Sequence, residues 1–363
     1  MAGMDKYLMM MVEHGASDLH FCTGRRPTFR KDGSIVRMRE EEVDEETARN
    51  LLFDIMPKHA QDAYNATHDA DFAYELPGFG RYRVNVYQDH RGISGVFRLI
   101  PSKVLTFEDL QLPTALKKFC TLRKGLVLVT GPTGSGKSTT LAAMIDYINK
   151  TRSEHIITIE DPVEFVYQEH RCLVNQREVG THTASFKTAL RAALREDPDI
   201  VLVGEMRDLE TTHIAIETAE TGHLVFGTLH TTTAISTIDR LIDQFPPDHQ
   251  QQIRTMLAVS LKGVVAQNLL KKRGGGRVAA LEVLFVNHAV SSLIRESKSS
   301  QIMTIMQTGR KDGMTLLNQE LARLVKAGVV ETEEAWSKCV DRDNFVKTLE
   351  AAGIPFNPPA DDD

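Results

Sequence analysis

The stretch Gly131-Pro132-Thr133-Gly134-Ser135-Gly136-Lys137-Ser138 decides how this chain folds. It satisfies G-x-x-x-x-G-K-[ST] at every fixed position. An apolar run, Leu126–Thr130, leads straight into it, and a helical stretch, Ser138–Asn149, leads straight out. That is the strand–loop–helix unit the motif requires, which a chance glycine-rich turn would lack. The glycines let the backbone curl until its N–H groups point at phosphate oxygens. The helix that follows presents its positive end to the same anion. Lys137 can reach the β- and γ-phosphates and Ser138 can hold Mg²⁺, with Thr139 in the same turn. The loop therefore predicts binding of a nucleoside triphosphate, expected to be ATP.

Downstream of the loop, short apolar runs alternate with helical patterns. Ile156–Ile159, Ile200–Val203 and Leu224–Gly227 read as further buried strands. Such alternation predicts an α/β fold with a mostly parallel sheet covered by helices. Ala184–Glu196 carries an apolar helical face through Phe186, Ala189, Leu190, Ala193 and Leu194, with Arg191 and Arg195 on another. The spacing predicts one long helix over His249–Leu270, a basic loop over Lys271–Arg277, and a helical remainder ending in the acidic tail Asp361–Asp363.

Upstream, residues 1–100 read as a smaller α+β domain. Leu8–Glu13 and Glu45–Met56 are helical, and Arg30–Met38 turns as a hairpin at Asp32-Gly33. Asp71–Leu76, Arg81–Tyr87 and Gly95–Ile100 read as strands. Pro101–Pro113 is a linker expected to fold over one of the domains, which leaves 114–363 for the triphosphate-binding domain.

Composition narrows the function classes. A length of 363 residues accommodates two or three domains, and a net charge of −6 gives no global pull toward nucleic acid. Cys22, Cys120, Cys172 and Cys339 are scattered, so a zinc site is not expected and a reducing cytoplasm is. The first residues do not read as a secretory signal. No apolar run approaches the roughly 18 residues of a membrane span, so membrane association is expected only through a partner.

A triphosphatase also needs carboxylates for its metal and its attacking water. Ile159-Glu160-Asp161-Pro162-Val163-Glu164 follows one predicted strand, and another ends at Glu205. Ligands gather at the carboxyl ends of such strands, so these acids are candidates, against the plainer readings of solvated loop acid or helix cap. His223 and His230 flank a third strand. The pattern leaves open whether they respond to a γ-phosphate or are ordinary polar flanks. Arg81 and Arg83 share one face of a strand in the small domain. Alternation by itself favours a solvated pair over an anion site.

Taken together these pieces resemble the hexameric secretion-superfamily ATPases, and within them the retraction ATPases of type IV pili. The resemblance rests on Ala16-Ser17-Asp18-Leu19-His20, the phosphate loop, the acidic stretch Ile157–Phe165, Leu190–Asp199 continuing to Asp208, and Thr218–His230, in that order. It implies a RecA-like P-loop ATPase domain behind a PAS-like α+β domain. It further implies Glu164 as general base, Glu205 as a Walker B carboxylate helping to hold Mg²⁺, His230 as γ-phosphate sensor and His223 as its support at the nucleotide. Arg81 and Arg83 become arginine fingers delivered when the small domain closes, which reverses the solvated reading. The implied assembly is a homohexamer, cytoplasmic and peripheral to the inner membrane, that meets a platform protein and acts indirectly on pilin. Ala327-Gly328-Val329-Val330 departs from the family's Ala-Gly-Leu-Ile while nearly keeping volume.

Three rival readings are weighed at this level; a regulatory ATP-binding module with little turnover is disfavoured by the presence of Glu164, Glu205 and Lys137. Pilus-assembly and type II secretion ATPases carry a tetracysteine motif and a longer N-terminal region; here the cysteines are apart and the loop begins at residue 131. A nucleic-acid translocase would want interleaved aromatic and basic residues, and only Lys271-Lys272-Arg273 is suggestive.

Overall fold

The computed structural model describes residues 3–31, 34–100 and 104–358. The chain divides into two compact units: Met1–Val104 with the short segment Pro162–Val166, and Leu105–Asp161 with Tyr167–Asp363.

The first unit runs α1 (Asp5–Glu13), β1 (Asp18–Cys22), β2 (Thr28–Lys31), β3 (Ser34–Arg37), α2 (Glu45–Ile55), α3 (Lys58–Thr67), β4 (Asp69–Leu76), β5 (Gly80–Asp89) and β6 (Gly92–Ile100). Its strands form one antiparallel sheet in the order β3-β2-β1-β6-β5-β4. Tyr82, Val84 and Val86 on β5 point into the core, as period-2 alternation requires. Asp44 caps α2 by accepting from the Thr47 N–H at 2.7 Å, and the helix buries Ala48, Leu52 and Ile55. Leu52 packs so closely on β6 that a Cβ at Gly95 would lie 2.7 Å from its methyl group. The expected strands and helices of this region are present, joined by β1 and α3. The expected hairpin forms, with Lys31 opposite Ser34, while its Asp32-Gly33 turn lies outside the described residues.

The second unit opens with α4 (Lys117–Cys120), β7 (Gly125–Thr130), α5 (Lys137–Thr151), β8 (His155–Glu160) and β9 (Leu173–Glu178). Next come α6 (Phe186–Ala193), β10 (Ile200–Val203), α7 (Leu209–Thr221), β11 (Leu224–Leu229), α8 (Ala234–Asp243) and α9 (Pro247–Ser260). With β12 (Leu261–Lys271) and β13 (Arg277–Phe285) the sheet order is β13-β12-β7-β11-β10-β8-β9, every pairing parallel except β12 with β13. β7, β10 and β11 are buried along their whole length, which is why they read as unbroken apolar runs. Of the expected linker, residues 101–103 lie outside the described part, as does the acidic tail. Phe107 is buried and meets the Tyr147 ring of α5 edge-on at 5.5 Å, so that end of the linker lies against the second unit's own helix.

One expectation is overturned here. The long helix over His249–Leu270 is α9, ending at Ser260, followed at once by strand β12 (Leu261–Lys271). Nearly every β12 residue is buried, so its run carried no period by which strand and helix could be told apart. The basic loop tightens into the turn between β12 and β13 (Arg277–Phe285), a strand where only helix was expected.

The remainder is helical: α10 (His288–Arg295), α11 (Ile302–Thr308), α12 (Leu317–Lys326), α13 (Thr332–Trp336) and α14 (Arg342–Ala351). The last three pack around Leu321, Val325, Phe345 and Leu349 in a smaller core that also takes in Leu270 of β12 and Ala280 of β13. Glu282 on β13 links this bundle to the sheet. Only 5% exposed, it accepts from the Ala234 N–H at 2.7 Å and the Leu317 N–H at 3.1 Å. One carboxyl group thus receives the first N–H of both α8 and α12.

Candidate functional site

Four adjacent strands, in the order β7-β11-β10-β8, end on one edge of the larger sheet. Each delivers a polar group there: β7 the phosphate loop, β11 His230, β10 Glu205, and β8 Glu160 and Asp161. In-register parallel pairing, Thr130 beside Leu229 and Val203 beside Gly227, keeps these exits level. This is the edge where parallel sheets collect ligands.

The loop itself is built for an anion. Its crest, Pro132–Gly134, is exposed, while Gly131 and Ser135 are buried. Gly131 has φ +143°, and a Cβ there would collide with the Gln267 backbone oxygen and sit 2.7 Å from Ser135 Oγ. Gly136 is the N-cap of α5 at φ +87°, and no side chain caps the helix. A helix start of this kind can present its positive end to an anion. Lys137 Nζ donates to Gly131 O at 2.9 Å and Pro132 O at 3.2 Å, which places its charge over the loop. Ser138 and Thr139 follow in the first turn of α5, half-buried.

Glu205 and His230 are brought together across strands, with His230 Nε2 2.8 Å from Glu205 Oε1. Arg207 Nε reaches the same oxygen at 2.6 Å. Burial would raise the Glu205 carboxyl, but the hydrogen bonds from Arg207 and then His230 outweigh it and hold it below the usual glutamate range. Glu205 is thus an anion at neutral pH with an oxygen donor set suited to a hard cation, as is the Ser138 hydroxyl. Glu160 is buried and accepts from Thr158 Oγ1 at 2.6 Å and Gln176 Nε2 at 3.4 Å, so its carboxylate is committed to structure.

His223 lies at the other end of β11 from this edge. It precedes β11, and its Nδ1 lies 3.1 Å from Thr218 O at the end of α7. Seven residues separate it from His230, roughly 20 Å of extended strand. Glu164 lies in the Pro162–Val166 segment that groups with the first unit. Arg81 and Arg83 share a face of β5, with buried Tyr82 between them. Arg83 is half exposed, 4.0 Å from Asp71 and beside Arg98 on β6, which pairs with Asp18 at 2.8 Å.

Three contributors escaped the sequence reading. Arg207 follows Glu205 by two residues, and only the fold shows that it turns back onto it. Thr237 of α8 brings its hydroxyl to Thr231 at 2.6 Å and Thr130 at 3.4 Å, linking the exits of β7 and β11. Gln267 contacts the phosphate loop from β12, a segment read as helix. Among the described residues no cluster of three or more His, Cys, Asp or Glu forms a metal cage, and no helix is long and apolar enough to cross a membrane.

Known proteins resemble this chain over most of its length. A family model described as type II/IV secretion system protein matches residues 2–275. The chain is 50% identical to the type IV pilus retraction ATPase PilT of Pseudomonas aeruginosa over 338 residues, covering 93% of this chain and 98% of that one. It is 51% identical to a twitching motility protein of Neisseria gonorrhoeae over 316 residues, 87% of this chain and 84% of that one. A crystal structure of the pilus retraction motor PilT with bound ADP superposes with a TM-score of 0.88 at 45% identity, over 94% of this chain and 97% of that chain.

Proposed function

The chain belongs to the type II/IV secretion system protein family, and on that premise we propose that it is the ATP-hydrolysing motor that powers type IV pilus retraction. The observation that carries this reading is the gathering of the phosphate loop, Glu205 and His230 on one edge of adjacent parallel strands. Retraction in particular follows the near full-length likeness to a retraction ATPase.

Each residue then has a part. Backbone N–H groups of the loop, Gly136 among them, and the Lys137 ammonium take the β- and γ-phosphates. Ser138 and Glu205 would hold Mg²⁺ and Thr139 would line the nucleotide; the metal, when bound, neutralises charge on the phosphates. Glu164 polarises the attacking water. His230, tied to Glu205, registers the γ-phosphate through that shared carboxylate. Arg81 and Arg83 are the cations delivered to the γ-phosphate as the small domain closes, a step of the kind that contributes roughly 10³–10⁵ in rate. ATP that touches both domains only in the closed state favours closure, and hydrolysis removes that preference. In a homohexamer such closures become displacement. The motor is cytoplasmic, meets an inner-membrane platform protein, and acts on pilin indirectly and on no nucleic acid.

Two experiments test this. Glu164→Gln is expected to bind ATP and not turn it over; undiminished turnover would remove Glu164 as the base. Deleting the gene in its host is expected to leave cells piliated but unable to twitch, whereas loss of pili would assign the chain to assembly instead.

A further inference from the structure

Gln267 sits beneath the phosphate loop, 2% exposed, and the reaction as assigned gives it no part. Its Nε2 donates to Ser135 O at 2.7 Å, and its Oε1 accepts from Thr140 Oγ1 at 2.7 Å. Its partners dictate that orientation. A backbone carbonyl can only accept, so the amide nitrogen must face Ser135 and the oxygen must face the hydroxyl. Gln267 also abuts both ends of the loop: a Cβ on Gly136 would lie 2.9 Å from its Nε2, and one on Gly131 would strike its backbone oxygen.

The Ser135 bond has a geometric consequence. In a trans peptide the C=O and the following N–H point in opposite directions. Drawing the Ser135 carbonyl toward β12 therefore turns the Gly136 N–H away from β12. No acceptor among the described residues takes that N–H. It is held ready for an oxygen supplied from outside the chain, at the N-terminus of α5 where a phosphate would bind.

We propose that Gln267 is a positioning residue for nucleotide binding, setting the Ser135–Gly136 peptide so that the Gly136 N–H faces the phosphates. Its bond to Thr140 ties the same amide to the first turn of α5, so loop and helix keep one mutual geometry. The inference rests on the reading of Gly131–Ser138 as a triphosphate loop. It adds a specific source for the loop's preorganisation, located on a strand with no motif of its own.

The test uses the full chain and three variants. Gln267→Met keeps shape and loses both hydrogen bonds. It is expected to raise KM for ATP and weaken ADP binding by about tenfold, the effect of one lost hydrogen bond at a buried acceptor, with kcat at saturating ATP within about twofold. Gln267→Glu sets an acceptor against Ser135 O and adds negative charge beneath the phosphates, so its affinity loss should exceed that of Met. Gln267→Asn keeps the amide but falls short of Ser135, and it repeats the KM change should the Met variant fail to fold. A purely structural role predicts the opposite split, with lower melting temperature and kcat but unchanged KM. That split, or wild-type ADP affinity in the folded variants, overturns the proposal. Wild-type protein that binds no ADP overturns the reading of the loop itself, a separate result.

Discussion

Glu282→Gln is the most informative perturbation away from the nucleotide. The wild-type side chain receives two N–H groups, from Ala234 and Leu317, at the starts of α8 and α12. A glutamine of the same size offers one oxygen; its NH₂ then faces the other N–H, donor against donor. One buried N–H is left unsatisfied, at about 1–3 kcal/mol. For the second unit that corresponds to a fall of roughly 2–12 °C in melting temperature. The pH dependence carries the sharper signature. Burial pushes the Glu282 carboxyl up, and the two backbone hydrogen bonds do not cancel the effect. The folded state therefore holds this proton above the ordinary value of 4.5, where the unfolded chain has released it. Across that window the folded state binds more protons, so the group's contribution to stability falls as pH rises and levels off above the folded pKa. Glutamine does not titrate, so the gap between wild type and variant should be widest near the acid end and narrow upward. Denaturant unfolding followed by fluorescence of Trp336, the single tryptophan, reports on the bundle that α12 joins, where Trp336 packs on Phe345 and Phe356. A gap that widens with rising pH, or no gap at the acid end, would refute the reasoning.

Other predictions follow from the same geometry. Gly131→Ala places a side chain where φ is +143° and the Gln267 backbone oxygen leaves no room, so ADP binding measured by calorimetry should be lost. His230→Ala should slow ATP turnover, while His223→Ala should leave ADP affinity unchanged; a matching affinity loss in both would undo the placement of His223 on the far edge. Burial pushes the Cys120 thiol up to about 12, and Cys172 is likewise raised, so a thiol reagent on the native protein should leave both unmodified until denaturant is added.

The architecture was legible because its signals were local. The loop's glycines, the apolar run before it and the helix after it all occur within about 25 residues, and each agrees with the others. The same holds for β10 and β11, whose buried runs end in Glu205 and His230. The α9–β12 boundary was illegible for a physical reason: a strand buried on both faces has no polar face to mark its period, and the preceding helix supplies the same residue types. Gln267 was hidden with it, since a glutamine in a helix reads as surface. That His223 and His230 flank one strand was legible too, and the strand carries them to opposite edges. Arg207, Thr237 and Glu282 act through partners 2, 107 and 48 residues away, and spacing encodes none of those pairings.

The separation of His223 from His230 has a mechanical consequence. β11 is hydrogen-bonded to β7 over all six of its residues and to β10 over four, and every one of them is buried. Such a strand cannot creep along its axis without shearing two ladders at once. It also cannot bow, because both faces are packed. A push at the phosphate edge is therefore shared with β7 and β10 and cannot displace β11 alone. The His223 end, where α7 closes on Gly222, moves only as far as the sheet moves as a whole.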